Sequence, residues 1–266
     1  MTDTWDPQQL RAGLDDLGVG RGDHVVVHSS LRSIGRVAGG AEAVLELLID
    51  VLGPSGTLVL PTFNYRPNDD GEVDLRVTPG QTGAISEAGR RRADARRSDH
   101  PTHSLVGIGR LAPELTAGHL VGRAMGPDSP LGRLARHGGK VLLLGVGHTS
   151  NTMLHVAEEV ARVPKPDPPQ ARQAVTVTTL EGRALRHTLD SSPSCSMAFG
   201  TAERVLRQAG VVTDGRIGGA LCQLMPAAEV LRVIGGLLRE QPDALLCGWS
   251  GCHPCHATRA ALHGDG

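Results

Sequence analysis

A histidine and two glutamates share one short segment near the middle of the chain. The apolar run 141–144 predicts a buried strand, which glycines end before a helical pattern begins. On that helix, His155 would have Glu158 and Glu159 three and four residues ahead, on the same face. A histidine beside a carboxylate, just past the end of a strand, is suited to act as a general base. The alternative is a surface histidine that is merely hydrogen-bonded to Glu159.

A second polar group follows an earlier apolar run. His28, Ser29 and Ser30 come at the end of the predicted strand 24–28. Adjacent hydroxyls beside backbone N–H groups can bind a carbonyl or phosphate oxygen. A serine nucleophile is a weaker interpretation, because the Gly-x-Ser-x-Gly elbow is absent. A turn in which the serines only cap the strand is equally compatible with the local sequence.

Arginines cluster at positions 90–92 and 96–97, and Ser98 follows them. Guanidinium groups in such a cluster could hold phosphates. A solvated basic helix face would explain the same cluster.

Cysteine and histidine alternate near the carboxyl end. Cys247, Cys252, Cys255 and His256 fall within ten residues. Thiolate and imidazole ligands at this spacing suit tetrahedral Zn²⁺, in a structural role. Reduced thiols without metal are the alternative, and a zinc-binding interaction module is a third hypothesis for the whole chain.

The elements around these residues predict an α/β fold. Strands at 24–28 and 57–60 with a helix at 41–52 between them form a βαβ unit, which indicates a partly parallel sheet. The proline-rich segment 163–169 predicts a turn or a linker, which could divide the fold and begin a second lobe from about residue 170. Further helices are predicted at 7–17, 87–96, 197–208 and 226–239. Further strands are predicted at 174–179 and 183–188.

Composition narrows the class of protein. The chain has 266 residues, of which 39% are hydrophobic, so a sizeable core is expected. A net charge of −1 and 2% aromatic residues argue against nucleic-acid binding. No apolar run approaches the roughly 20 residues that span a bilayer, and the amino terminus does not resemble a signal peptide. A cytoplasmic protein without membrane association is therefore expected, and its five cysteines are not expected to form a disulfide framework.

Several segments, in this order, resemble the aminoglycoside 3-N-acetyltransferase family over about residues 25–160. They are His28-Ser-Ser-Leu31, Gly53-Pro-Ser-Gly-Thr-Leu-Val-Leu-Pro-Thr62, Arg97-Ser-Asp-His-Pro-Thr-His-Ser104, Ser129-Pro-Leu131, Val141-Leu-Leu-Leu-Gly145 and Asn151-Thr-Met-Leu-His-Val-Ala-Glu158. Each segment alone is weakly diagnostic, and together they are specific.

The resemblance implies a three-layer α/β sandwich with a mixed central sheet, in one acetyltransferase domain over 1–266. The Cys/His-rich segment at 247–256 of this chain is not a feature of the best-known resistance members. It implies transfer of an acetyl group from acetyl-CoA to the 3-amino group of 2-deoxystreptamine aminoglycosides, which confers resistance. The protein would be a monomer or homodimer. The residues implied in catalysis are His155, Glu158 and His28, and those implied near the cofactor are Ser29, Ser30, Leu31, Arg97 and Ser98.

The substrate side departs from the family. Phe63-Asn64 stands where many relatives have His-Ser, and a short acidic loop follows. Aminoglycosides are polycations, so carboxylates are expected around them. The candidate substrate contacts are Asn64, Asp69, Asp70, Glu159 and Asp190. Acetylation of another amine-bearing metabolite and a serine-dependent amidase remain as alternatives.

Overall fold

A mixed β-sheet with helices on both faces forms the centre of the computed structural model. The structure describes residues 4–65, 71–121, 123–166, 174–188 and 194–264. The strands are β1 (His24–Ser29), β2 (Thr57–Pro61), β3 (Glu72–Asp74), β4 (Arg96–Arg97), β5 (Leu105–Gly109), β6 (Lys140–Leu144), β7 (Ala174–Thr178), β8 (Ala184–Thr188), β9 (Thr213–Ile217) and β10 (Ala220–Pro226).

The central sheet has seven strands in the order β4-β5-β2-β1-β6-β10-β9. β1 lies between β2 and β6 and is parallel to both, whereas β5 and β10 add antiparallel strands outside them. The chain thus leaves β1 towards one neighbour and later returns on its other side. Such a switch point opens a crevice at the carboxyl ends of the parallel strands, where ligands bind in open α/β sheets.

Both faces of the sheet are buried, which explains the continuous apolar runs of its central strands. Val26, Val141 and Leu143 point into one core, and Val27 and Leu142 point into the other. Successive side chains of a strand alternate between faces, so one strand contributes to both cores.

Helices cover the two cores. The helices are α1 (Pro7–Leu17), α2 (Leu31–Ile34), α3 (Gly40–Leu52), α4 (Ala84–Arg90), α5 (Ala112–Thr116), α6 (Pro130–Arg136), α7 (Met153–Val160), α8 (Ala202–Gln208), α9 (Ala227–Glu240) and α10 (His253–His263). Helices α1, α3 and α4 pack on one face, and helices α5 to α9 pack on the other. The predicted three-layer α/β sandwich is confirmed.

The chain from residue 174 onwards, where a second lobe is predicted, contributes strands to two different sheets. After residue 174 the chain first pairs β7 with β8 and β3 in a small three-stranded sheet. It then returns to the central sheet, where β10 pairs with β6. Neither β9 nor β10 was predicted, and only β9 is too polar for an apolar run to reveal it. The helix predicted at 87–96 was misplaced: α4 ends at Arg90, and residues 96–97 are a strand.

Among the described residues, the structure has no helix long and apolar enough to cross a membrane.

Candidate active site

A cleft of about 500 Å³ opens at the switch point of the central sheet. Its floor comes from the ends of the parallel strands: His28 and Ser29 from β1, Pro61 from β2 and Val146 just after β6. Between β6 and α7, Gly145 adopts a φ of +70°, and a Cβ there would lie 2.5 Å from the Cβ of Ser33. Glycine is therefore required for the turn that directs the following segment over the cleft.

His155 lies in the first turn of α7 and lines this cleft. Its Nδ1 is 2.8 Å from Oε2 of Glu158, three residues ahead, as the helical spacing predicts. The same carboxylate oxygen lies 3.0 Å from Nζ of Lys165. Because Nδ1 is held by the carboxylate, Nε2 is the ring nitrogen that can accept a proton from a ligand.

Glu158 is ionised although it is buried. Burial of the carboxyl raises its pKa, but the hydrogen bond with His155 and the charge of Lys165 lower it by more, so its net pKa lies below the usual value. The side chains of Glu158 and Lys165 are 5% and 7% exposed, so this ion pair is shielded from water. A desolvated carboxylate that bonds one imidazole nitrogen orients the ring and stabilises its protonated form.

Lys165 reaches α7 because the chain reverses after that helix. The backbone turns at Arg162, whose φ is +60°, and the N–H of Val163 donates to the carbonyl of Glu158 at 3.0 Å. A left-handed residue after the last helical turn is a common way to end a helix. The segment predicted as a linker thus supplies a charged residue to the site.

Glu159 stands apart from the His155–Glu158 pair. Its carboxylate lies 2.7 Å from Arg123 and 3.3 Å from Lys165, and it lines a smaller neighbouring cavity. The charge of Glu159 is therefore already balanced by two cations.

Of the predicted residues at the end of β1 and the start of α2, some line the cleft and others only stabilise the local fold. His28 is buried, and burial lowers its pKa to about 4, so its imidazole is neutral at pH 7. Ser29 lines the cleft, whereas the hydroxyl of Ser30 caps α2 by accepting the N–H of Ser33. Leu31 begins α2 and packs against the core. The structure brings two of these four predicted residues to the cleft and uses the other two locally.

Arg97 and Ser98, which the resemblance implies near the cofactor, do not line the main cleft, and Arg97 lines a separate pocket beside β4. The guanidinium of Arg97 is buried and donates to the carbonyls of Leu75, Thr78 and Thr62. The hydroxyl of Ser98 is 2.8 Å from Nδ1 of His119. These hydrogen bonds connect β4 to the neighbouring loops inside the fold.

Of the remaining predicted substrate contacts, only Asn64 lies among the described residues. Asp69, Asp70 and Asp190 lie outside the described residues, and Asn64 is buried with its backbone N–H on the carbonyl of Thr102. Among the described residues that line the main cleft, none is a carboxylate.

Aromatic residues are the part of the site that pattern reasoning missed. Both phenylalanines and the single tyrosine of the chain, Phe63, Phe199 and Tyr65, line the cleft. The ring of Phe199 lies 4.6 Å from that of His155. Phe63 and Tyr65 contact His103, whose pKa is lowered to about 3 by burial and by nearby His155. Their scarcity in the sequence was a signal that they could have a special role.

The structure brings three of the four predicted metal ligands together. Cys247, Cys252 and Cys255 do converge, but the fourth member of the group is Cys195 and not His256. His256 is exposed on α10, whereas Cys195 comes from a distant loop that no spacing rule connects to the other three.

A crevice at the switch point of an α/β sheet, with a buried histidine–carboxylate pair beside it, is typical of enzymes of the α/β class. The particular family follows from comparison with known proteins. The aminoglycoside 3-N-acetyltransferase family model matches residues 26–239, and the chain belongs to this family of acyltransferases.

Individual relatives are similar to this chain over nearly its whole length. Aminoglycoside N(3)-acetyltransferase IV of Salmonella sp is 32% identical over 240 residues, which are 90% of this chain and 89% of that protein. A histidine-to-alanine variant of AAC(3)-IVa, crystallised with a gentamicin, is 30% identical with a TM-score of 0.85, over 97% of this chain and 98% of that chain. AAC-IIIb in a binary complex with CoASH is 26% identical with a TM-score of 0.78, over 90% and 98% of the two chains.

Proposed function

We propose that this enzyme transfers the acetyl group of acetyl-CoA to the 3-amino group of a 2-deoxystreptamine aminoglycoside, with His155 as general base, and so confers resistance. The observation that carries the proposal is the 2.8 Å contact between His155 Nδ1 and Glu158 Oε2 at the cleft. The gentamicin and CoASH complexes of related structures support the choice of substrates.

The reaction needs only one proton relay. Nε2 of His155 takes a proton from the attacking amine as the nitrogen adds to the thioester carbonyl. The tetrahedral intermediate then expels the CoA thiolate, which receives that proton from the imidazolium. Glu158 stays ionised throughout and stabilises the imidazolium. The neighbourhood of Ser29, at the cleft floor, is the proposed place of the developing oxyanion.

The cavities leave room for two substrates. A second cavity of about 570 Å³ is lined by Ser33, Gly147 and residues of β9 and β10. It shares Val146 with the main cleft. We infer that the long arm of acetyl-CoA passes through this second cavity and that its thioester reaches the main cleft beside Ser29.

The aromatic wall suits a cationic sugar. Tyr65 is 59% exposed and stands with Phe63 on the side of the cleft formed after β2. Ammonium groups are attracted to aromatic faces, and the effect is worth about 0.5–1 kcal/mol at exposed sites. This wall would hold part of the aminoglycoside while His155 faces the 3-amino group.

Formation of CoA during incubation with a panel of aminoglycosides tests the function. Chromatographic separation of CoA from acetyl-CoA avoids interference from the protein's own thiols. Mass spectrometry and NMR of the product then locate the new acetyl group. His155→Ala should lose turnover, and His263→Ala, which changes an exposed histidine, should not. CoA formation without an acetylated 3-amino group would overturn the substrate assignment.

A second candidate is acetylation of a less cationic amine. The absence of carboxylates among the described residues of the main cleft favours it. Neutral and monocationic amines added to the same panel would identify it through a higher kcat/KM. A serine-dependent amidase has less support, because the hydroxyl of Ser30 caps α2, and such an enzyme would turn over without acetyl-CoA.

A further inference from the structure

Four of the five cysteines meet at a place that the proposed reaction does not use. The Sγ atoms of Cys195, Cys247, Cys252 and Cys255 all lie within 4.8 Å of one another. Cys252 precedes α10 and Cys255 lies in its first turn, whereas Cys195 is 52 residues before Cys247. Four thiols from two distant segments therefore share one small volume.

The sulfur spacing is that of ligands around an ion. A tetrahedral zinc site with Zn–S bonds of about 2.3 Å separates its sulfurs by about 3.8 Å. The Sγ atoms of Cys195 and Cys247 are 3.8 Å apart. A disulfide would bring two sulfurs to about 2.05 Å, and all five cysteines are free thiols in the structure.

The surroundings also suit a cluster of thiolates. Cys247, Cys252 and Cys255 are buried, at 6%, 5% and 1% exposure. The backbone N–H of Cys247 donates to the sulfur of Cys255 at 3.4 Å. The guanidinium of Arg259 donates to the carbonyl of Cys247 at 2.9 Å, which places a positive charge beside the group. Donors and a cation in the outer shell stabilise the negative charge of a tetrathiolate site.

The four clustered cysteines lie beside the wall of the active cleft. Ser194 and Ser196, on either side of Cys195, both line that cleft. Phe199, further along the same segment, packs its ring 4.6 Å from that of His155. A bond from an ion to Cys195 would hold this wall against the C-terminal segment.

We propose that Cys195, Cys247, Cys252 and Cys255 bind one structural Zn²⁺ that fastens the C-terminal segment to the Ser194–Ser196 wall. Four protein ligands fill a tetrahedral site and leave no position for substrate or water, so the ion has no part in acetyl transfer. This site stands independently of the substrate proposed above.

Metal analysis of the purified full-length chain, expressed with added zinc and without chelators, tests the proposal. The wild-type protein should contain about one zinc per chain. Cys195→Ser and Cys252→Ser should lose the zinc and melt at a lower temperature. Two controls should keep it: His256→Ala, which removes the nearby histidine, and Cys222→Ala, which removes the fifth cysteine in β10.

A second measurement covers variants that fail to fold. Stepwise modification of the wild-type thiols, followed by a colorimetric zinc indicator, should release the ion as the four clustered cysteines react. Cobalt-substituted protein should show the absorption of a tetrahedral thiolate complex. Wild-type protein without zinc, zinc retained in Cys195→Ser, zinc lost in His256→Ala, or a mass that reveals two disulfides would each overturn the proposal.

Discussion

Replacement of Glu158 by glutamine tests whether the carboxylate works through His155. Glutamine keeps the size of the side chain and can still accept a hydrogen bond, but it removes the charge 2.8 Å from His155 Nδ1. It also leaves Lys165 with Glu159 as its remaining carboxylate partner, at 3.3 Å. The imidazolium formed during the reaction would then face a buried ammonium without the intervening negative charge.

The size of the effect follows from the contact that is lost. Hydrogen bonds to charged groups contribute about 1.5–3 kcal/mol, which corresponds to a decrease in kcat of roughly 10- to 150-fold. His155→Ala removes the base itself, so we expect a decrease of about 10²- to 10⁴-fold. Since Glu158 acts through His155, the double variant should be no slower than His155→Ala alone.

Steady-state CoA formation at saturating acetyl-CoA measures these rates, and thermal melting checks that each variant is folded. The matched control is Glu159→Gln, which removes a neighbouring carboxylate that pairs with Arg123 and Lys165. Its kcat should change little. A wild-type kcat in Glu158→Gln would show that the carboxylate does not act through His155. The same conclusion would follow if the losses of the two single variants multiplied in the double variant.

Three further predictions concern the cleft and its surroundings. Phe199→Ala should lower the free energy of unfolding in urea by about 3–5 kcal/mol, because a buried ring is lost. It should also lower kcat, since that ring packs against His155. An unchanged kcat would contradict this prediction. Tyr65→Ala should raise the KM of the aminoglycoside roughly 2- to 5-fold and leave that of acetyl-CoA unchanged; an equal rise in both would argue against the aromatic wall. Burial lowers the pKa of His28 and of His119 to about 4, so the unfolded chain binds protons first as the pH falls. The contribution of each histidine to the free energy of unfolding should be fully present above about pH 6.5. It should decrease towards pH 4 by up to about 1.4 kcal/mol per pH unit. Equal urea midpoints at pH 7 and pH 5 would contradict this prediction.

Local sequence pattern was sufficient for the centre of the fold. The apolar runs of β1, β2 and β6 predict buried strands because both faces of the sheet are covered. β9 was not predicted, because it forms an edge of the sheet and four of its five residues are exposed or half-buried. Its place is decided by pairing with β10, a contact that no single-strand pattern contains.

The proposed catalytic pair is also predictable from local sequence. His155 and Glu158 are three residues apart, and helix geometry alone brings such residues together once α7 forms. The sequence therefore determined the pair, and the family motifs identified it among twelve histidines.

The tertiary structure alone decided what surrounds that pair. Lys165 reaches Glu158 only through the turn at Arg162, and Phe199 reaches His155 from a segment more than forty residues later. Cys195 joins a cysteine 52 positions away, in the place that spacing had assigned to His256. Contacts at such separations depend on how the helices and loops pack on the sheet, because the chain between them has no fixed local geometry that could specify them.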